Sequence, residues 1–136
     1  MKVFLGGTCN SSNWRKRLIP LLSKSVEYFD PVVEQWDDRS QQLELDAREY
    51  CDYCIYVITP AMMGVYSIAE VVDDSNKRPS KVIFCFLYTD GGNKFNTHQI
   101  KSLGATSKMI KYNGGLCLNS IEEIANFLNL KGMNEY

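Results

Sequence analysis

The sequence predicts an α/β fold: a flavodoxin/Rossmann-like three-layer sandwich with helices on both faces of a five-stranded parallel sheet. Strand-like and helix-like segments alternate at short spacing, which is typical of parallel sheets. The unbroken apolar run from Val82 to Leu87 fits a central strand that is covered on both faces. Five such strands fit the order 2-1-3-4-5, in which the ligand crevice opens beside strands one and three.

The composition fits one soluble domain. The chain has 136 residues, 45% hydrophobic and 23% charged, with a net charge of -1. This balance predicts no nucleic-acid polymer or membrane partner, and no apolar run approaches the ~20 residues that cross a bilayer. We assign residues 1–131 to a single domain and 132–136 to a C-terminal tail, either loose or docked on a neighbouring subunit. The five cysteines, three of them in apolar runs, indicate reduced thiols in a cytoplasmic protein.

The first half of the chain supplies three strands and two helices. Lys2–Gly6 is the first strand, and leucines at helical spacing predict a helix over Trp14–Ser25, in which Pro20 indicates a kink or a break. A short second strand, a second helix and an apolar third strand follow: Tyr28–Val33, Gln41–Tyr50 and Tyr53–Ile58.

The second half continues the alternation. Helix three covers Ser67–Asn76 and ends before Lys77-Arg78-Pro79, a clear stop signal. Strand four, helix four and a short strand five follow: Lys81–Tyr88, Asn96–Leu103 and Ser107–Lys111. The last amphipathic helix covers Ser120–Leu130, where Ser120 and Glu123 form a capping box.

Polar groups gather where the predicted strands end, which is the edge at which open α/β sheets bind ligands. After strand one, Gly6 and Gly7 either let the backbone approach a ligand or only make a tight turn, and Thr8 can hydrogen-bond a sugar or phosphate. After strand two, Trp36 and Asp37 belong to an acidic loop that either binds a base or is simply solvated.

Glu70 is the most informative candidate, because its neighbours are apolar and it lies near the start of the helix after strand three. A carboxylate there either accepts hydrogen bonds from a sugar or attacks an anomeric carbon. Ser67 is placed to cap this helix and aim its first turn at a ligand. The alternative is an exposed helix glutamate. Helix two adds Glu44 and Asp46, although Glu44 also fits an i,i+4 surface pair with Arg48.

Several other classes of site lack their motifs. The sequence has neither G-x-G-x-x-G, nor a P-loop, nor G-x-S-x-G. One histidine, His98, and scattered cysteines argue against a catalytic metal site. We therefore predict no metal and no cofactor.

The order of three patches carries a family resemblance. The patches are the first strand with its two glycines; Asp30-Pro31 followed by Trp36-Asp37-Asp38; and Glu44 and Asp52 before an apolar strand and the helix with Glu70. In this order they resemble the nucleoside 2-deoxyribosyltransferase-like family over nearly the whole chain. One difference is Phe4, because better-characterised members of the family carry a tyrosine there, beside the nucleophile.

The resemblance implies N-glycosyl transfer or hydrolysis on small-molecule (deoxy)nucleosides or nucleotides, through a covalent glycosyl ester of Glu70. An acidic group, for which Asp46, Glu44 and Asp37 are candidates, assists departure of the base. A second base then completes a transfer, whereas water completes a hydrolysis. The resemblance also implies a homo-oligomer in which a neighbour completes the site.

Two alternative functions remain open. One is a nucleotide or NAD-type N-glycosidase, whose phosphate would be bound by Thr8, Ser11, Ser12 and Arg15. The other is a nucleotide-binding module without catalysis. Phe4, which stands where the family has a tyrosine, favours this second alternative.

Overall fold

Five parallel strands form the central sheet of the computed structural model, which describes residues 1–9 and 11–134. In chain order the strands are β1 (Lys2–Gly7), β2 (Glu27–Phe29), β3 (Tyr53–Ile58), β4 (Val82–Phe86), β5 (Thr89–Asp90), β6 (Asn93–Lys94) and β7 (Leu116–Cys117). The sheet order is β2-β1-β3-β4-β7, and every pair in it is parallel. The predicted α/β class and strand order are therefore confirmed; β5 and β6 form a separate antiparallel hairpin.

Helices cover both faces of the sheet. They are α1 (Trp14–Leu18), α2 (Asp38–Tyr50), α3 (Tyr66–Lys77), α4 (Thr97–Tyr112) and α5 (Ile121–Met133). Alternate residues of β3 enter two separate cores: Ile55 packs with α1 and α5, whereas Tyr56 packs with α3 and α4. Because both faces are buried, the central strands read as continuous apolar runs.

The predicted fifth strand at Ser107–Lys111 is wrong. These residues lie inside α4, which begins with a capping box between Asn96 and Gln99 and continues to Tyr112. Leu103 and Ile110, two helical turns apart, are buried on one face of α4 and hold this segment as a helix. The edge strand is instead β7, which pairs with β4.

Three predicted elements are shorter in the structure: helix one, the second strand and the fourth strand, which covers Val82–Phe86. Helix one ends at Leu18, and a 3-10 turn over Ile19–Leu21 contains Pro20, so the predicted break is confirmed and the end at Ser25 is wrong. The second strand ends at Phe29 rather than Val33. The Asp30 side chain then accepts a hydrogen bond from Val32 N at 3.0 Å, which is a local turn that competes with strand pairing.

The end of the chain continues as helix past the predicted boundary. α5 includes Gly132 and Met133, which the sequence analysis assigned to the tail. Gly132 lies so close to Ser25 that an added Cβ would be 2.6 Å from its hydroxyl oxygen. Asn134 is the C-cap of α5, and the last two residues of the predicted tail, Glu135 and Tyr136, lie outside the described residues. Within residues 1–9 and 11–134, no helix has the length and apolar character needed to span a bilayer.

Candidate active site

A cavity of about 490 Å³ opens at the carboxyl ends of β1 and β3, the edge at which the predicted crevice was expected. Its walls come from the end of β1 and the loop after it, the loop between β2 and α2, and the segment before α3 with the first turns of that helix. Single residues of α1, α2 and β3 complete them. Most of the predicted site residues line it: Gly6, Gly7, Thr8, Trp36, Glu44, Ser67 and Glu70. The fold thus brings residues from four separate segments to one cavity.

Asp37 and Asp46 do not line this cavity. Asp37 is the N-cap of α2 and accepts a hydrogen bond from Ser40 N at 2.8 Å, which lowers the pKa of its carboxyl. Asp46 is exposed and accepts a hydrogen bond from Gln42 Nε2 at 2.9 Å. Among the three candidate acids, Glu44 is the one at the cavity.

The two glycines at the end of β1 are required by packing within the protein. Gly7 has a φ of 109°, and a Cβ there would lie 2.3 Å from Val57 O. A Cβ at Gly6 would lie 2.7 Å from the ring of Tyr56. The close approach that excludes a side chain is therefore to β3, although both glycines also form part of the cavity wall.

The groups proposed for a phosphate pocket are largely engaged with the protein. Arg15 is buried, and its Nε, Nη1 and Nη2 donate to backbone carbonyl oxygens of Leu5 and Thr8 at 2.7–3.0 Å. The hydroxyl of Ser12 donates to Asp90 at 2.6 Å, and that of Thr8 accepts from Thr59 N at 2.9 Å. These bonds fasten the loop after β1 to α1, to Asp90 and to the residue that follows β3.

Ser67 does not cap α3. The helix begins at Tyr66 after Val65, so Ser67 already lies within its first turn, and no side-chain cap is formed. Its hydroxyl instead donates to Gly7 O at 3.0 Å. This bond ties the start of α3 to the loop after β1 and so fixes one cavity wall against another.

Glu70 is buried, with 6% of its surface exposed, and is not the exposed helix residue of the alternative interpretation. Its Oε2 is shut off from solvent and has no hydrogen-bond partner among the described residues. Arg48 Nη1 lies 3.6 Å from this oxygen. Because Glu70 also lines the cavity, a buried and incompletely paired carboxyl group faces the space in which a ligand would bind.

Arg48 faces α3 instead of forming the surface pair with Glu44 that the sequence allowed. It is 4% exposed, and its Nε and Nη2 donate to Asp74 at 3.1 and 2.9 Å. Nη2 also donates to Asp73 at 2.9 Å. Burial alone lowers the pKa of Arg48, but the hydrogen bond to Asp74 and the charges of Tyr56, Asp74 and Glu70 outweigh it and raise the pKa overall, so Arg48 is a permanent cation beside Glu70.

Glu44 and Glu70 form a carboxyl pair at the cavity. Burial, together with a hydrogen bond to Glu44 and the charge of Glu44, raises the pKa of Glu70 to about 9, although Arg48 acts in the opposite direction. Like charges so close disfavour double ionisation, so the pair retains a proton at neutral pH. One site thus offers both a proton and a carboxylate.

A family model described as "Nucleoside 2-deoxyribosyltransferase like" matches residues 1–88. The chain belongs to the nucleoside 2-deoxyribosyltransferase-like family. No curated protein and no solved structure matches it. The matched span contains β1 to β4 and all the described residues that line the cavity, whereas the β5–β6 hairpin, α4 and α5 follow it.

In this member of the nucleoside 2-deoxyribosyltransferase-like family, Phe4 is fully buried. Its ring packs against those of Phe29 and Tyr56, with centroids 6.1 and 5.9 Å away. The hydroxyl of Tyr56 donates to Asp74 and so supports the cluster around Arg48. The β3 tyrosine therefore does not supply to Glu70 the hydroxyl that the family tyrosine would.

Sequence reasoning did not identify Arg48 and Asp74 as neighbours of Glu70. A signal existed: Glu44 and Arg48 lie four residues apart on α2, and Glu70 and Asp74 lie four apart on α3, so each pair shares one helix face. What the sequence does not show is that these two faces meet.

Proposed function

We propose that this chain catalyses N-glycosyl transfer or hydrolysis on nucleosides or nucleotides, with Glu70 as the nucleophile. The observation that carries the proposal is the buried carboxyl of Glu70, whose Oε2 lacks a hydrogen bond, at the wall of the 490 Å³ cavity. A cavity of this size suits a small organic ligand. Membership of the nucleoside 2-deoxyribosyltransferase-like family supports a nucleoside or nucleotide as that ligand.

The carboxyl pair suggests how the reaction proceeds. Glu70 attacks C1′ of the sugar as the bond from C1′ to the base breaks, and the proton that Glu70 shares with Glu44 passes through Glu44 to the departing base. A glycosyl ester of Glu70 remains. A second base or a water molecule then attacks C1′ and releases the Glu70 carboxylate, while Glu44 recovers a proton from that incoming group.

The other walls of the cavity suit a flat heterocycle. Trp36 is 55% exposed at the mouth, and Tyr66 and Met63 also present exposed apolar surface there. Such side chains gain binding energy by covering the face of a base. Because the nitrogens of Arg15 are already bonded to backbone carbonyls, a nucleoside fits the cavity better than a nucleotide.

We extend the proposal to the setting of the enzyme. We expect a small-molecule substrate, a cytoplasmic location and a homo-oligomer. The mechanism above uses no cofactor.

The test is incubation with a panel of nucleosides and their 5′-monophosphates, with and without an acceptor base, read by chromatography. We expect the wild type to release base from a nucleoside and Glu70→Gln to lose about 10³-fold or more in rate. Glu49→Gln, an exposed change on α2, is the matched control and keeps full activity.

Two results would contradict the proposal. Full turnover by Glu70→Gln would exclude Glu70 as nucleophile. Ligands that stabilise the fold without release of base would indicate a binding module; at 100 times its Kd such a ligand adds about 2.7 kcal/mol to the free energy of unfolding.

A further inference from the structure

The guanidinium of Arg48 lies between two carboxyl groups that α3 presents one turn apart. Towards Asp74 it is fully bonded, through Nε and Nη2 at 3.1 and 2.9 Å. Towards Glu70 it is not, because Nη1 lies 3.6 Å from Oε2. That distance exceeds a good hydrogen bond but lies within the range of an ion pair. The guanidinium therefore attracts the Glu70 carboxyl by its charge but donates no hydrogen bond to Oε2.

The position of Arg48 is fixed from the opposite side. Asp74 is completely buried and also accepts hydrogen bonds from the hydroxyl of Tyr56 and from Arg78 Nη1. Asp73 holds Nη2 at 2.9 Å. Since a guanidinium is planar, fixing Nε and Nη2 also fixes the direction of Nη1. Arg48 thus cannot turn away from Glu70 without breaking these bonds.

The charged groups around Glu70 act on its ionisation in opposite directions. Glu44 on α2 and Asp74, one turn further along α3, are both close to Glu70. Their negative charges disfavour a Glu70 carboxylate. Burial acts in the same direction. Arg48 is the group that opposes them, and a nucleophilic glutamate must be ionised to attack.

We propose that Arg48 is a positioning residue: it holds Oε2 of Glu70 and favours the ionised form of this carboxyl, which is the form that attacks C1′. The inference rests on the proposed function of Glu70. Its electrostatic half, control of the Glu70 charge by Arg48, is measurable without a substrate.

The experiment is a pH titration of the Glu70 side-chain carboxyl by ¹³C NMR, with the resonance assigned from its loss in Glu70→Gln. Arg48→Gln removes the cation beside Glu70, and we expect the titration midpoint to rise by about one pH unit or more. Arg78→Gln is the matched control. It removes an equal charge from Asp74, but Arg78 is the C-cap of α3, eight residues after Glu70 and about 12 Å further along the helix axis, so the midpoint changes far less.

A midpoint that is unchanged in Arg48→Gln, or that rises equally in Arg78→Gln, overturns the proposal. If Arg48→Gln does not fold, Arg48→Lys keeps a cation for Asp74 but loses the fork that reaches Glu70. The midpoint then rises by about half a unit, and no rise is equally decisive.

The kinetic arm uses any nucleoside that the wild type turns over. Arg48→Lys lowers kcat about 10-fold or more with little change in KM, because the contact acts on the nucleophile and not on substrate binding. The acidic limb of its rate profile moves to higher pH. An unchanged kcat and profile refute the inference; an active Glu70→Gln refutes the proposed function instead, and the NMR titration still decides the role of Arg48.

Discussion

Two acidic residues of α3, Glu70 and Asp74, are equally hidden from water but differ in their partners. They are 6% and 0% exposed and lie four residues apart on one face of the helix. Asp74 accepts hydrogen bonds from both arginines and from Tyr56, whereas Oε2 of Glu70 accepts none within the described part of the chain. Burial alone therefore does not mark a functional residue.

Under the proposed function, the difference separates a structural acid, Asp74, from the nucleophile, Glu70. A buried carboxylate with its hydrogen bonds complete is already stabilised in the folded protein. One that is left incomplete costs stability, and such residues concentrate where a protein gives up stability for function. Asp74 joins α2, α3 and β3, while Oε2 of Glu70 is left without a hydrogen bond among the described residues.

The largest effect that tests this contrast is on folding. Asp74→Asn removes the counter-charge of Arg48 and Arg78, and breaking such a buried pair costs about 3–5 kcal/mol. Glu70→Gln at neutral pH should leave the free energy of unfolding equal or raise it slightly. Urea denaturation of both variants measures this. A large loss in Glu70→Gln, or none in Asp74→Asn, would show that the two acids play the opposite roles.

A smaller effect distinguishes the acids of α2. Glu44→Gln removes the proton donor of the pair at the cavity, and we expect a loss of about 10²-fold in turnover of an unactivated nucleoside. Asp46→Asn, two residues away and exposed, is the matched control and should leave the rate unchanged. Rate profiles against pH provide the check. Equal losses in the two variants would remove Glu44 from the mechanism.

The sequence predicts the fold better than the environment of the site. The apolar runs of β1, β3 and β4 predicted the sheet order, because central strands leave a local pattern. β7 has two residues, too few for such a pattern, and the predicted strand fell instead on the end of α4. The apolar neighbours of Glu70 likewise marked it. The bond between Arg48 and Asp74 joins residues 26 positions apart, and no local pattern contains it.

The smallest effect concerns the pH dependence of stability. The folded-state pKa of Glu70 lies at about 9, above its ordinary value of 4.5. Between these values the folded protein holds a proton that the unfolded chain has lost. Stability must therefore fall as pH rises across this window, and the burial of Glu70 costs nothing below it.

Glu70→Gln abolishes this dependence because its amide does not titrate. We expect the variant and the wild type to be equally stable near pH 4.5 and the variant to be about 1–2 kcal/mol more stable near pH 9. The full shift would imply more, but water reaching a cavity wall reduces the cost of burying a charge. Urea denaturation at pH 5, 7 and 8.5, with Glu49→Gln as control, measures the difference. If the free energies of unfolding of Glu70→Gln and the wild type changed equally with pH, Glu70 would be ionised in the folded protein at no cost. The contrast with Asp74 would then be lost.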